Sequence, residues 1–162
     1  MRSVKLALML GSIVLAGCGG RGTLALLPDE HIPVQQETIL VATSRSVAPE
    51  PVFFGETRSY RTNFANVEVS IPPGRNPGEI EYPKRKKVDP NKEFLVVSST
   101  NLTTENEFIR AINSEIAQEP NGLRQGAVFV HGFNTNYAEG VIRMVALAED
   151  TGRAGVKVAY SW

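Results

Sequence analysis

Residues 127–136, AVFVHGFNTN, are the stretch whose residue types and spacing come closest to chemistry. Four apolar residues, Ala127, Val128, Phe129 and Val130, run without polar interruption into His131 and Gly132. Such a run suits a strand covered on both faces, as in a parallel sheet. Gly132 admits backbone angles that a side chain forbids, and it lets main-chain N–H groups come close to a bound ligand. The Asn-Thr-Asn at 134–136 offers a helix cap, and helical period follows it. Strand, glycine turn and helix N-terminus in succession make a place where negative charge can be held. His131 is open to three roles there: general base, metal ligand, or support of the loop through side-chain hydrogen bonds. The one other histidine is His31, in a proline-broken stretch, and no second His or Cys stands at ligand spacing. Loop support is therefore the expected role, with no metal and no cofactor.

The segments that must position this turn read as strands and helices in alternation, which gives the α/β class. Residues 38–43, TILVAT, form the first credible strand, and residues 44–55, with Pro49 and Pro51, a loop. From Asn63 a second strand runs through Phe64, Val67, Val69 and Ile71 until Pro72-Pro73-Gly74 stops it. Residues 93–100, EFLVVSST, make a third. Thr104 and Glu107 then have capping-box spacing, and Phe108, Ile112 and Ile116 repeat along one helical face up to a turn cluster at 119–122. Beyond the opening strand, Asn136 and Glu139 repeat the capping-box spacing. Val141, Met144, Val145 and Ala148 line one stripe, and Gly152 is placed to close the helix. Residues 156–162, VKVAYSW, are a further strand, so the chain from Gly126 onward predicts one βαβ unit with a parallel pair. The basic cluster Lys84, Arg85, Lys86 and Lys87 has no amphipathic stripe and reads as a solvated loop rather than a lipid-headgroup contact.

The first residues stand apart from this domain. Arg2 and Lys5 precede an almost wholly apolar run at 6–15, and Leu15-Ala16-Gly17-Cys18 places small residues just before a cysteine. That is a secretory signal, too short to span a bilayer as a mature helix. Its ending resembles the bacterial lipobox, which implies cleavage before Cys18 and acylation of its sulfur. Cys18 is the one cysteine in the chain, so no disulfide within it is possible. The expected organisation is a lipoprotein signal peptide at 1–17, lipidated Cys18 and a tether at 18–37, and the domain at 38–162. Gly19, Gly20 and Gly22 suit a loose tether, and Pro28 and Pro33 an irregular spacer. The expected location is the bacterial cell envelope, at the outer membrane or the periplasmic face, with the lipid bilayer as a partner through acylated Cys18. The 17 basic and 17 acidic residues balance, and loss of the leader removes two positive charges, so nothing calls for nucleic acid.

The Val-His-Gly-Phe-Asn-Thr-Asn stretch, the helix after it and the strand ending Tyr-Ser-Trp resemble the N-terminal half of an α/β-hydrolase, and more narrowly the bacterial α/β-hydrolases of domain-of-unknown-function family 900. Leu40-Val41-Ala42-Thr43-Ser44-Arg45, Phe54-Gly55-Glu56, Val69-Ser70-Ile71-Pro72-Pro73 and Asp89-Pro90 with Phe94 fit the same family. The resemblance implies that the His-Gly turn contributes a backbone N–H to an oxyanion hole. Phe133 is then the donor, Gly132 keeps that N–H in line, and His131 and Asn134 hold the loop. A small ester or acyl substrate is implied as well. The same family uses a serine on a Gly-x-Ser-x-Gly elbow, followed by an acid and a histidine. No such elbow occurs in these residues, and Ser161, between Tyr160 and Trp162, lacks the glycines for one.

The expected fold is thus a truncated α/β-hydrolase sheet, early strands plus one βαβ unit without the catalytic C-terminal half, with an open edge and an uncovered apolar face. Two functions compete: an esterase- or lipase-like serine hydrolase represented by its oxyanion-hole half, and a non-catalytic envelope lipoprotein serving as a binding or scaffold module. A nucleotide-binding module is disfavoured, because the turn has one glycine where a dinucleotide or P-loop turn needs several.

Overall fold

The computed structural model describes residues 21–83, 87–119, 124–152 and 155–162. The expected leader, Cys18, the basic residues Lys84, Arg85 and Lys86, and the turn at 120–122 lie outside the described residues. The elements in chain order are β1 (Gln36–Val47), β2 (Phe54–Ser70), β3 (Leu95–Leu102), α1 (Glu105–Gln118), β4 (Gly126–Val130), α2 (Tyr137–Thr151) and β5 (Val156–Ser161). The strands form one mixed sheet in the order β3-β2-β1-β5-β4. Antiparallel ladders join β3 to β2 and β2 to β1, while β1, β5 and β4 run parallel. This is the α/β class, a five-stranded sheet with two helices among the described residues, consistent with part of an α/β-hydrolase-like fold.

Alternation along β1 shows how the sheet is covered, since successive side chains point to opposite faces. Ile39 and Val41 join Val67 and Val69 in a core closed by Val141, Ile142, Met144 and Val145 of α2. Leu40 and Ala42 face the other way, toward Phe108, Ile112 and Ile116 of α1. Phe108 also stacks on Phe64 at 4.7 Å between ring centroids. Both helices open with capping boxes. Thr104 Oγ1 accepts the Glu107 N–H at 3.2 Å and Asn136 Oδ1 the Glu139 N–H at 2.8 Å, with the glutamates returning to the cap N–H groups. Gly152, left-handed at φ 56°, closes α2. No helix among the described residues is long and apolar enough to cross a membrane.

Three expectations need correction. The apolar run of β4 is covered on one face only. Ala127 and Phe129 pack toward α2, but Val128 and Val130 are 69% and 58% exposed. The reason is position: β4 is the outermost strand, and α1 lies over β1, β2, β3 and β5. The expected tether is in part docked. Leu24 is buried in the core, Leu26 bridges to Val96, and the Leu27 N–H and Ala25 carbonyl bond the Val96 backbone, each at 2.8 Å. Gly22 is a close-approach residue and not slack, since a Cβ there would meet Glu139 Cγ at 2.6 Å and the Tyr82 ring at 2.8 Å. Ile32 and Val34, 85% and 84% exposed, keep the character of a spacer. Lastly, β1 and β2 are much longer than the apolar patterns at 38–43 and from Asn63, because a polar ladder extends them through Arg45–Arg58 and Val47–Phe54 pairs with register shifts between. Ladder hydrogen bonds need no apolar side chain, so this arm leaves no hydropathy pattern.

Candidate functional site

The site forms where the parallel strands β1, β5 and β4 end, the side of such sheets on which ligands sit. Each end supplies a buried polar residue: Thr43 and Arg45 from β1, Ser161 from β5 and His131 directly after β4. His131 is 4% exposed, and both its ring nitrogens are engaged. Its Nδ1 lies 2.9 Å from the Gly132 carbonyl oxygen. Its Nε2 accepts the Trp162 backbone N–H at 3.2 Å and lies 3.1 Å from Ser161 Oγ. Because a backbone N–H can only donate, Nε2 is the acceptor and the ring proton sits on Nδ1, pointing at Gly132. The Trp162 indole N–H in turn donates to the His131 carbonyl at 3.1 Å, and the two rings stack at 5.6 Å. His131 thus ties the turn to the end of β5.

The structure brings Ser161 and His131 together, which nothing in their spacing indicated. The contact does not make a nucleophile and base. Ser161 is 1% exposed, and its oxygen also accepts from Arg45 Nε at 2.9 Å. The far ring nitrogen of His131 meets a carbonyl where a triad would place a carboxylate.

Arg45 is the residue that sequence reading missed. Its guanidinium also donates to the carbonyls of Gly55 at 3.3 Å, Thr135 at 3.0 Å and Trp162 at 2.7 Å. One side chain therefore holds β5, the β2 arm and the approach to α2 in fixed relation. Thr43 Oγ1 adds a bond of 2.7 Å to the Ser161 carbonyl. Burial, the largest influence, holds the Arg45 guanidinium below its ordinary pKa. Glu56 opposes the shift, and the neighbouring charges of Arg21 and Arg58 add to it. The only hint in the sequence is an apolar strand ending Thr-Ser-Arg, a basic residue at the carboxyl end of a central strand.

In the turn itself, the left-handed residue is Asn134, at φ 60°, and not Gly132. A Cβ on Gly132 would meet nothing within 4 Å. Gly132 is thus free of any steric demand from the protein, and the space beside it belongs to the cleft. Asn134 accepts from Arg21 through both its backbone oxygen, at 2.6 Å, and its Oδ1, at 2.9 Å. Phe133 projects into solvent, 90% exposed, and its N–H has no hydrogen-bond acceptor among the described residues. Behind the turn, Gly140 lets α2 lie against His131, with its Cβ position 3.3 Å from the ring Cδ2.

The α2 entrance is anchored by Glu139, which accepts the Gly22 N–H at 2.9 Å and the Asn136 N–H at 3.1 Å. Burial alone would raise its carboxyl pKa. Those two donors, with the charges of Arg21 and Arg143, outweigh burial and hold it below the usual carboxylate range. An open cleft of about 220 Å³ lies over the turn, bounded by Arg21, Arg45, Glu56, Arg58 and Trp162 as well as residues 131–135. Among the described residues, no group of three or more His, Cys, Asp or Glu side chains is arranged to hold a metal ion.

No curated protein and no solved structure matches the chain. A family model does match, over residues 104–162, and its description is alpha/beta hydrolase of unknown function (DUF900). The matched residues take in α1, β4, α2 and β5 with the His-Gly turn between them, and over that stretch the chain is similar to this α/β-hydrolase family.

Proposed function

We propose that the protein is a membrane-anchored serine hydrolase of esterase or lipase type, to which this chain contributes the oxyanion-hole loop. The observation that carries the reading is the Phe133 N–H, without an acceptor among the described residues, at the mouth of a cleft before the N-terminus of α2. Such a donor suits the oxygen that becomes negative when an acyl carbon is attacked, and its loss typically costs about 3–4 kcal/mol in the barrier. Gly132 supports the role in a specific way. With no protein atom near its Cβ position, a side chain there would enter only the space a substrate occupies.

The chain holds no Gly-x-Ser-x-Gly elbow, and Ser161 is buried and bonded, so in this reading the nucleophile comes from outside these residues. The purified chain should give no turnover of p-nitrophenyl acetate above buffer. Supplied with the elbow-bearing segment encoded downstream or in another reading frame, it should gain turnover, and Gly132→Val should then lower that turnover by about a hundredfold or more without loss of fold. Unchanged turnover in that variant sinks the oxyanion-hole assignment. The anchor is tested separately, by mass spectrometry of the membrane fraction, which should find an acylated N-terminal Cys18; an intact free thiol rules it out. The second reading, an envelope lipoprotein that only binds or scaffolds, draws on the exposed Val128 and Val130 of β4. Absence of any elbow-encoding sequence, with a stably folded chain, would favour it.

A further inference from the structure

Three guanidinium groups, those of Arg21, Arg45 and Arg58, bound the cleft beside the Phe133 N–H. Their carboxylate neighbours are fewer. Glu56 lines the same cleft, and Glu139 lies 3.8 Å from Arg21. Arg45 spends its donors on carbonyl and hydroxyl oxygens, which orient it but carry no negative charge. Arg58 is exposed and has no ion pair among the described residues; its guanidinium lies over the Trp162 ring, 5.5 Å from the centroid. Like charges crowded at one opening repel one another, and an anion between them removes that repulsion while gaining planar, forked donors. The cleft also shares Arg21 and Glu56 with a cavity of about 180 Å³ whose walls include Leu24, Val52, Phe54 and Tyr137. A ligand spanning both spaces would have an anionic head and an apolar body.

Resting on the reading of the His-Gly turn as a substrate site, we propose that the arginine cleft binds a phosphate-type oxyanion of the substrate, with Arg58 and Arg21 as its direct contacts and Arg45 as the buried positive charge behind them. Two sources carry that chemistry, a soluble phosphate compound and the headgroup of an anionic lipid. Cys18 stands three residues before Arg21, a reach of at most about 11 Å, so an acylated chain would hold the cleft at the bilayer surface.

Trp162 is the only tryptophan in the chain and forms part of the cleft wall, so its fluorescence reports on the site directly. The full chain, in a neutral detergent, is titrated with inorganic phosphate and with dihexanoyl phosphatidylglycerol, using chloride at equal ionic strength as reference. A saturable change is expected with phosphate chemistry and not with chloride. Arg58→Gln and Arg21→Gln should each weaken binding about tenfold, the second variant guarding against a direct effect of Arg58 on the indole. Tighter binding of the lipid than of inorganic phosphate assigns the source to membrane lipid, and the reverse assigns it to a soluble compound. Circular dichroism confirms that the variants fold. No saturable response to either titrant, a response equalled by chloride, or undiminished affinity in both variants overturns the proposal. Because binding is read without turnover, this outcome is independent of the ester assay that judges the oxyanion hole.

Discussion

The two helices begin alike and end up in different places. Each opens with a capping box, Thr104 with Glu107 and Asn136 with Glu139, and each carries an apolar stripe. Yet α1 buries Phe108 alone, whereas α2 buries ten of its 15 residues. The local signals are equivalent, so the difference comes from what each helix meets. Helix α2 lies under the centre of the sheet and is also covered by the docked N-terminal residues, with Gly22 bonded to Glu139 and Asn136 bonded to the Gly22 carbonyl at 2.7 Å. Helix α1 covers the opposite face and leaves β4 bare beyond its edge. Cap and period determine that a helix forms; the surfaces that close over it determine how much it contributes.

Matched substitutions would sharpen or break this contrast. The largest difference should come from the cores. Ile142→Ala, at a fully buried position on α2, should lower unfolding free energy by about 2–5 kcal/mol, and Ile112→Ala, half-buried on α1, by about 1–2 kcal/mol, both read by urea denaturation. Equal losses would show that α1 is covered better than its exposure indicates. The caps should differ less. Asn136→Ala removes both a cap and the bond to Gly22 and should cost about 2 kcal/mol, against about 1 kcal/mol for Thr104→Ala.

The smallest effect to resolve is in acid. Both box glutamates have carboxyl pKa values held below the ordinary one. For Glu107 the main cause is the Thr103 side chain; for Glu139 burial works against the shift, and the Gly22 and Asn136 donors prevail. A depressed pKa stabilises the fold above the unfolded value and loses that contribution as pH falls through the folded one. Glu139→Gln should therefore flatten the fall in stability on the acid side, measured by thermal melts at a series of pH values down to about 3, more than Glu107→Gln, whose carboxyl is solvated. An equal flattening by both would mean that the Gly22 and Asn136 donors favour the Glu139 carboxylate no more than the Thr103 bonds favour Glu107.

The same contrast explains what the sequence reveals. Both helices, their caps, the closing Gly152 and the parallel β4–β5 pair are legible because each depends on neighbours within a few residues or on one apolar period. The docking of Leu24 and the polar ladder past Thr43 depend on surfaces that come together only in the fold. In the site, the strand-turn-helix around His131 is legible for the first reason. Arg45 is not, for the second: its partners Thr135, Ser161 and Trp162 lie 90 to 117 residues away. Gly132 is a different case. A glycine after a strand is open to being read as conformational need, and here the left-handed position belongs to Asn134.

The docked stretch at 21–27 also bears on how the protein would behave once cut. A protease reaching the exposed Ile32 or Val34 would sever the chain, yet the short upstream piece would still be seated beside Val96 and hydrogen-bonded to Glu139. A nick there would yield two polypeptides that stay together under native conditions and part only in denaturant.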